Sequence, residues 1–279
     1  VSLEVVNALM FELEEHADHL LWDPGQTIAN AFDAVNEHLE AMVTQDAIEV
    51  DARASGACAV IAYVHGTTLW VGGAGDCRAV LGTRHGDDLI ATPLSVQHLV
   101  DAPVERARIE RTGGYVQEAF IDDDGEAIGA KLYRSKEQKE LGPGIGVSRA
   151  FGDLDACDLG IIPTPELSFH QVILEDEYMI LATDGVWEFL DPDKVLKTVN
   201  RHFKAGKAAL EACRSIIAMS AREWHKHETT YRDDITVIVI YLPGLTTFLE
   251  NEIANATDAN LEIWKQTNQP ASRRTSDQP

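Results

Sequence analysis

Two stretches of this 279-residue chain place carboxylates where the backbone must change direction. In the first, Tyr178-Met-Ile-Leu-Ala-Thr-Asp184-Gly185-Val-Trp187-Glu188, an apolar run with the length of a buried strand stops at Asp-Gly. In the second, Arg232-Asp233-Asp234 leads into Ile-Thr-Val-Ile-Val-Ile-Tyr-Leu over 235–242. Antiparallel pairing would set the end of one strand beside the start of the other. Asp184 would then meet Asp233 or Asp234 at one sheet edge. Carboxylates gathered this way repel one another unless a cation neutralises them, and their oxygens suit a hard divalent ion. Each Asp taken alone reads equally well as a solvated strand cap.

The rest of the chain has to position that edge. Leu3, Val6, Leu9, Leu13 and Leu20 recur at roughly helical spacing until Trp22-Asp-Pro24-Gly25, read as a stop. Thr27 then reads as the N-cap of a second helix striped by Ile28, Phe32, Val35, Leu39 and Val43. From residue 55 the period becomes that of short strands (55–64, 68–74, 77–82, 89–91) joined by tight turns, an antiparallel meander. Gly72 and Gly73 within a strand imply close packing on that backbone. A charged helix with Pro in its first turn follows at 103–112. The polar stretch 118–143 has no period, and Asp122-Asp-Asp-Gly125-Glu reads as a solvated turn. Strands at 166–172 and 178–183 precede a helix opened by Pro192 and a longer one at 207–224, striped by Leu210, Cys213, Ile217 and Ala221. After the strand at 235–242 come an amphipathic helix with Leu249, Ile253, Leu261 and Trp264, and a disordered tail. One domain is therefore expected over 1–243, with the helix and tail at 244–279. The tail's Arg273-Arg274-Thr275-Ser276 has the pattern that basic-directed kinases accept, on what is otherwise an inert solvated segment.

Bulk properties narrow the partners. Forty-six acids against 23 bases give −23, which argues against nucleic acid or an anionic membrane. An acidic chain can still bind phosphate groups where metal ions reverse the local sign. Cys58, Cys77, Cys157 and Cys213 form neither a CxxC pair nor a zinc spacing, which suits a reducing compartment. No basic segment with an apolar run precedes the chain's first helix, and no stretch of about twenty apolar residues occurs. The expectation is an intracellular protein, cytoplasmic or nuclear, and a monomer.

Six motifs then fall in one order. They are Ser55-Gly56; Gly75-Asp76-Cys-Arg78-Ala; Glu105-Arg106-Ala-Arg-Ile109-Glu110 with Gly113-Gly114; Gly146-Val-Ser148-Arg149-Ala-Phe-Gly152-Asp153; Leu181-Ala-Thr-Asp184-Gly185-Val-Trp187; and Asp233-Asp234-Ile-Thr-Val. Together, over about residues 3–242, they closely resemble the metal-dependent type 2C Ser/Thr protein phosphatases. The resemblance implies an α+β fold: a four-layer α-β-β-α sandwich, two antiparallel sheets flanked by helices. It also implies two Mg or Mn ions at one end, with a third in some members, and phosphorylated proteins as substrates. Asp184 and Asp233 match metal ligands of the family. Asp234 stands where many members have Asn, so either of the adjacent pair could serve; position favours Asp233. Asp76 and Glu188 match positions used for the third, weaker metal, with Glu188 replacing the more usual Asp. Ser148, Arg149, Gly152 and Asp153 match the motif heading the substrate-facing flap, which is shortened here between Asp153 and Pro163.

No catalytic residue is identified in this stretch. The family's phosphate-binding Arg, its Glu-Asp pair and its Asp-Gly-His-Gly-Gly strand end have no counterpart, and Val1 corresponds to a position just after them. Two readings follow. One is an active phosphatase whose N-terminal part lies outside these residues, so that residues 1–279 alone are poorly soluble and inactive. The other is a binding or regulatory module that keeps the fold without the reaction, a pseudophosphatase.

Overall fold

The computed structural model describes residues 1–45, 50–122, 125, 127–137, 144–228, 231–245 and 247. Helices α1 (Ser2–Glu15), α2 (Ala17–Trp22) and α3 (Pro24–Thr44) open the chain. Five strands follow, β1 (Gly56–Ala57), β2 (Ala59–His65), β3 (Thr68–Ala74), β4 (Arg78–His85) and β5 (Asp88–Pro93), and then α4 (Pro103–Arg111). Short strands β6 (Tyr115–Gln117), β7 (Phe120–Ile121), β8 (Ala127–Ile128), β9 (Lys131–Tyr133) and β10 (Phe151–Gly152) precede a 3₁₀ turn at Leu154–Leu159. Strands β11 (Glu166–Gln171) and β12 (Asp176–Ala182), helices α5 (Asp184–Trp187), α6 (Pro192–Lys204) and α7 (Ala209–His227), and strand β13 (Val237–Tyr241) complete it. The expected helix over Leu249, Ile253, Leu261 and Trp264, and the tail with its Arg-Arg-Thr-Ser, lie outside the described residues. The fold is α+β, with antiparallel sheets.

Two compact units share the chain. The first comprises Val1–Ile61, Val71–Arg78 and Ser95–Ser168. Its helix α3 buries Ile28, Phe32, Val35 and Leu39 completely, as their spacing requires. The close packing expected at Gly72 is the approach of that helix: a Cβ there would lie 2.8 Å from Ile28 Cγ2. Phe32 meets Phe151 of β10, ring centroids 4.9 Å apart. A second cluster gathers Val100, Ile109, Val116, Leu132 and Ile161 around α4 and the β6–β9 pair. That pair, with the β7–β8 hairpin, gives structure to a stretch that has no period in the sequence.

Sequence expectations fail here at helix ends and faces. The first helical run stops at Trp22 as expected, but Pro24-Gly25 at once opens α3, because Pro at the first helical position loses no needed hydrogen bond. The cap is Asp23, whose carboxylate accepts the Gln26 N–H at 3.1 Å; Thr27 lies inside the helix with its hydroxyl donating to the Asp23 carbonyl. In α1 the buried residues are Val5 and Leu9, while Leu3 and Val6 face solvent.

The second unit, Ala62–Trp70, Ala79–Leu94 and Phe169–Pro279, contains a four-stranded sheet in the order β13-β12-β4-β5. The meander is not one sheet. The chain leaves β3 for a different sheet at β4, and the three-stranded sheet β11-β3-β2 has strands belonging partly to each unit. Alternation within each strand reports burial on one face but carries no information about which neighbour a strand pairs with. Strand β12 is apolar on both faces, as a central strand should be, and packs Tyr178, Ile180 and Ala182 against Val195, Leu196 and Val199 of α6 and Ile216 of α7. The buried stripe of α7 is Ala212, Ile216, Ser220 and Trp224, one residue away from the expected Leu210, Cys213, Ile217 and Ala221; Leu210 and Ile217 are exposed.

Candidate functional site

The expected pairing of the carboxylate-bearing strands is present. β12 and β13 run antiparallel with Tyr178 opposite Tyr241 and Ala182 opposite Val237. Beyond the last pair, Thr183 stitches the two chains together: its N–H donates to the Thr236 carbonyl, and its hydroxyl donates to the Asp234 carbonyl at 3.1 Å and accepts the Thr236 N–H at 3.1 Å. Asp184 then opens the one-turn helix α5. Gly185 is required there, since a Cβ would lie 2.2 Å from the backbone oxygen of Asp234. The Gly185 carbonyl is held by Trp224 Nε1 at 2.7 Å and by the Ser220 hydroxyl, both from α7.

Asp184 and Asp233 are half-buried, and each accepts a hydrogen bond from the next backbone N–H, Gly185 at 2.8 Å and Asp234 at 2.7 Å. These bonds fix the planes of both carboxylates. Both lie at the same paired strand ends, since Thr183 and Gly185, on either side of Asp184, sit against the Asp234 carbonyl. Burial, the charge and hydrogen bond of Asp233, and the charges of Asp184 and Asp234 push the Tyr231 phenol above the usual value. The Asp234 side chain is exposed, and its carbonyl is the group used in the turn. Glu188 follows α5, exposed, with its N–H on the Asp184 carbonyl at 2.8 Å.

The donor set is all carboxylate oxygen, which suits Mg or Mn. Among the described residues no group of three or more His, Cys, Asp or Glu side chains comes together to hold a metal. A pair of carboxylates is the donor set that a cation keeping most of its waters, as Mg does, would take.

The remaining expected residues lie in the first unit. Asp76 is half-buried in the turn between β3 and β4, beside the thiol of Cys58; burial first, then the Asp76 charge, push that thiol well above its ordinary pKa. Ser148 and Arg149 converge on Glu105 of α4. The buried Glu105 carboxylate accepts the Ser148 hydroxyl at 2.6 Å and is paired at 2.7 Å with both Arg149 and Arg108. Arg149 continues to the Thr164 carbonyl, and Arg108 to the carbonyls of Gly160 and Ser148. Burial alone would raise the Glu105 pKa, but the bonds from Arg149, Arg108 and Ser148 outweigh it and hold the carboxyl at about 2. Gly152 pairs with Gly56 across the β1–β10 ladder, and Asp153, at φ 46°, folds its carboxylate over Gly56. Burial raises that carboxyl.

Comparison with known proteins now settles the kinship. The family model described as Protein phosphatase 2C matches residues 7–227. The chain belongs to the protein phosphatase 2C family. Probable protein phosphatase 2C 75 of Oryza sativa subsp. japonica is 35% identical over 195 residues, 69% of this chain and 43% of that protein. Probable protein phosphatase 2C 52 of Arabidopsis thaliana is 29% identical over 260 residues, 91% and 52% respectively. The crystal structure of a serine-threonine phosphatase 2C from Toxoplasma gondii superposes with a TM-score of 0.67 at 22% identity, covering 83% of this chain and 70% of that one. The chain spans about half or less of the curated phosphatase 2C relatives it matches.

Three features of this chain are not legible in its sequence. Glu105 is quoted among the motifs, yet in a highly charged helix nothing marks it as the one buried acid. Tyr231, and the Trp224–Ser220 clamp on Gly185, lie in segments whose partners are set only by tertiary packing. Gly185→Ala tests the clamp: the variant should lose about 1–3 kcal/mol of stability through overpacking against a backbone atom. Chemical denaturation checks this, and an unchanged midpoint would show that the turn relaxes freely.

Proposed function

We propose that this chain is the catalytic scaffold of a Mg- or Mn-dependent phosphatase acting on phosphoserine and phosphothreonine in proteins. The observation that supports it is the antiparallel pairing of β12 with β13, which brings the segments carrying Asp184 and Asp233 to one sheet edge, in a member of the phosphatase 2C family. Asp184 and Asp233 would hold the cation. Bound Mg or Mn would supply the Lewis acidity that acidifies a water and offsets charge developing on the phosphoryl oxygens. The Thr183 and Gly185 contacts hold the two strand ends together so that neither carboxylate drifts. Substrates would be phosphoproteins, met in a reducing intracellular compartment consistent with four free cysteines. No helix among the described residues is long and apolar enough to cross a membrane.

The test is phosphate release from a phosphothreonine peptide by the full-length protein that carries this chain. Release should require Mn or Mg and stop on chelation. Turnover undiminished by chelation, or no release at millimolar Mn, would overturn the reading.

A further inference from the structure

A cavity lies at the end of the same sheet opposite the carboxylate edge. It has a volume of about 570 Å³ and is formed entirely within the second unit, at the start of β12 and the ends of β4, β13 and α6. The six residues of strand from Tyr178 to Asp184 put it about 20 Å from the carboxylate edge. Its volume falls within the range that holds a small ligand.

One wall is aromatic. Phe203 and Tyr241 stack with centroids 4.6 Å apart, and Tyr178 tilts against both at 5.3 and 5.6 Å. Tyr241 is half-exposed, so an apolar ring surface is open to the cavity. The charges are unequal in availability. Both oxygens of Glu177 are taken by Arg84, at 2.8 and 2.7 Å, so its charge is neutralised in place. Asn200 Oδ1 accepts from Arg84 and from the Tyr178 hydroxyl, each at 3.3 Å, which points its amide N–H₂ away from them. The carbonyls of Arg201, His202 and Phe203 at the end of α6 are already met by the N–H groups of 205–207. Among the described residues, the Lys204 ammonium and the Asn200 amide are offered beside an aromatic surface. Asp87 stands on the exposed hairpin rim, where solvent weakens its repulsion.

We propose that this cavity binds a small aromatic acid: a flat ring laid against Tyr241 and Phe203, with its carboxylate or phosphate on Lys204 and Asn200. The proposal stands independently of the phosphatase reading.

The probe is 2-naphthoate, titrated calorimetrically into the full-length protein at up to a few millimolar. Binding should be detected, and neutral 2-naphthamide should bind more weakly by about tenfold, as loss of a charge-assisted hydrogen bond implies. Lys204 is exposed, so Lys204→Glu should fold normally and weaken 2-naphthoate by about tenfold or more. Tyr241→Ser should weaken it by about fivefold through lost ring contact. Asp184→Asn should leave the affinity unchanged. Undetectable binding, indifference to Lys204→Glu, or loss with Asp184→Asn would each overturn the assignment, the last by placing the ligand at the carboxylate edge.

Discussion

Glu105→Gln is expected to lower stability by about 3–5 kcal/mol at pH 7, because it leaves two buried guanidinium groups without their countercharge. Arg108 and Arg149 are both largely buried, and each also binds backbone carbonyls that would hold it in place rather than let it swing to solvent. The pH dependence identifies the cause. Folding lowers the Glu105 pKa from an ordinary 4.5 to about 2. Its stabilisation is therefore complete above the unfolded value and is lost as pH falls from about 4.5 towards about 2. The gap between wild type and variant should shrink by about 2 kcal/mol on going from pH 7 to pH 3. Urea midpoints at the two pH values measure it. A constant gap would mean that Gln fails for reasons of shape, not charge.

The second large effect is at the carboxylate edge. In the full-length protein, Asp184→Asn and Asp233→Asn should each cut Mn-dependent phosphate release by about a hundredfold or more, since even residues behind the ligands of a metal cost 10–100-fold. Without metal, both variants should be as stable as wild type or slightly more so, because the exchange relieves like-charge repulsion. Asp234→Asn should cost less than about tenfold, as its side chain is exposed and its carbonyl, which Asn retains, accepts the Thr183 hydroxyl. Equal losses at 233 and 234 would mean that the adjacent pair shares the ion. Thermal melts with and without Mn separate binding from chemistry, because only a protein that binds the ion gains stability from it.

What the sequence disclosed follows from where the information resides. The stripe of α3 is readable because Ile28, Phe32, Val35 and Leu39 are large, apolar and regularly spaced. The stripe of α7 is misread because two of its buried positions are Ala212 and Ser220, which carry little apolar signal, while Leu210 and Ile217 are exposed. The pairing of β12 with β13 was legible because two apolar runs with carboxylates at matching ends admit one antiparallel register that joins them. The partners of Glu105 were not. Arg108 lies on the same helix, but Ser148 and Arg149 come from more than forty positions away, and no local pattern specifies such contacts across that distance. Nor does alternation say which strands adjoin, so the change of sheet between β3 and β4 emerges only from the assembled fold.

That change of sheet also sets a clock on biosynthesis. Strand β4 pairs with β12, and the bonds joining their ends, Thr83 to Asp176 and Arg84 to Glu177, each span 93 positions of sequence. A nascent chain elongating at about 5–20 residues per second exposes the β4–β5 hairpin for roughly 5–20 s before its central partner emerges. During that interval the hairpin offers an unsatisfied strand edge to any neighbour, the situation in which chaperones are recruited and misassembly begins. The intervening residues 95–168 all belong to the first unit, so that unit can consolidate while the second waits for its own C-terminal half.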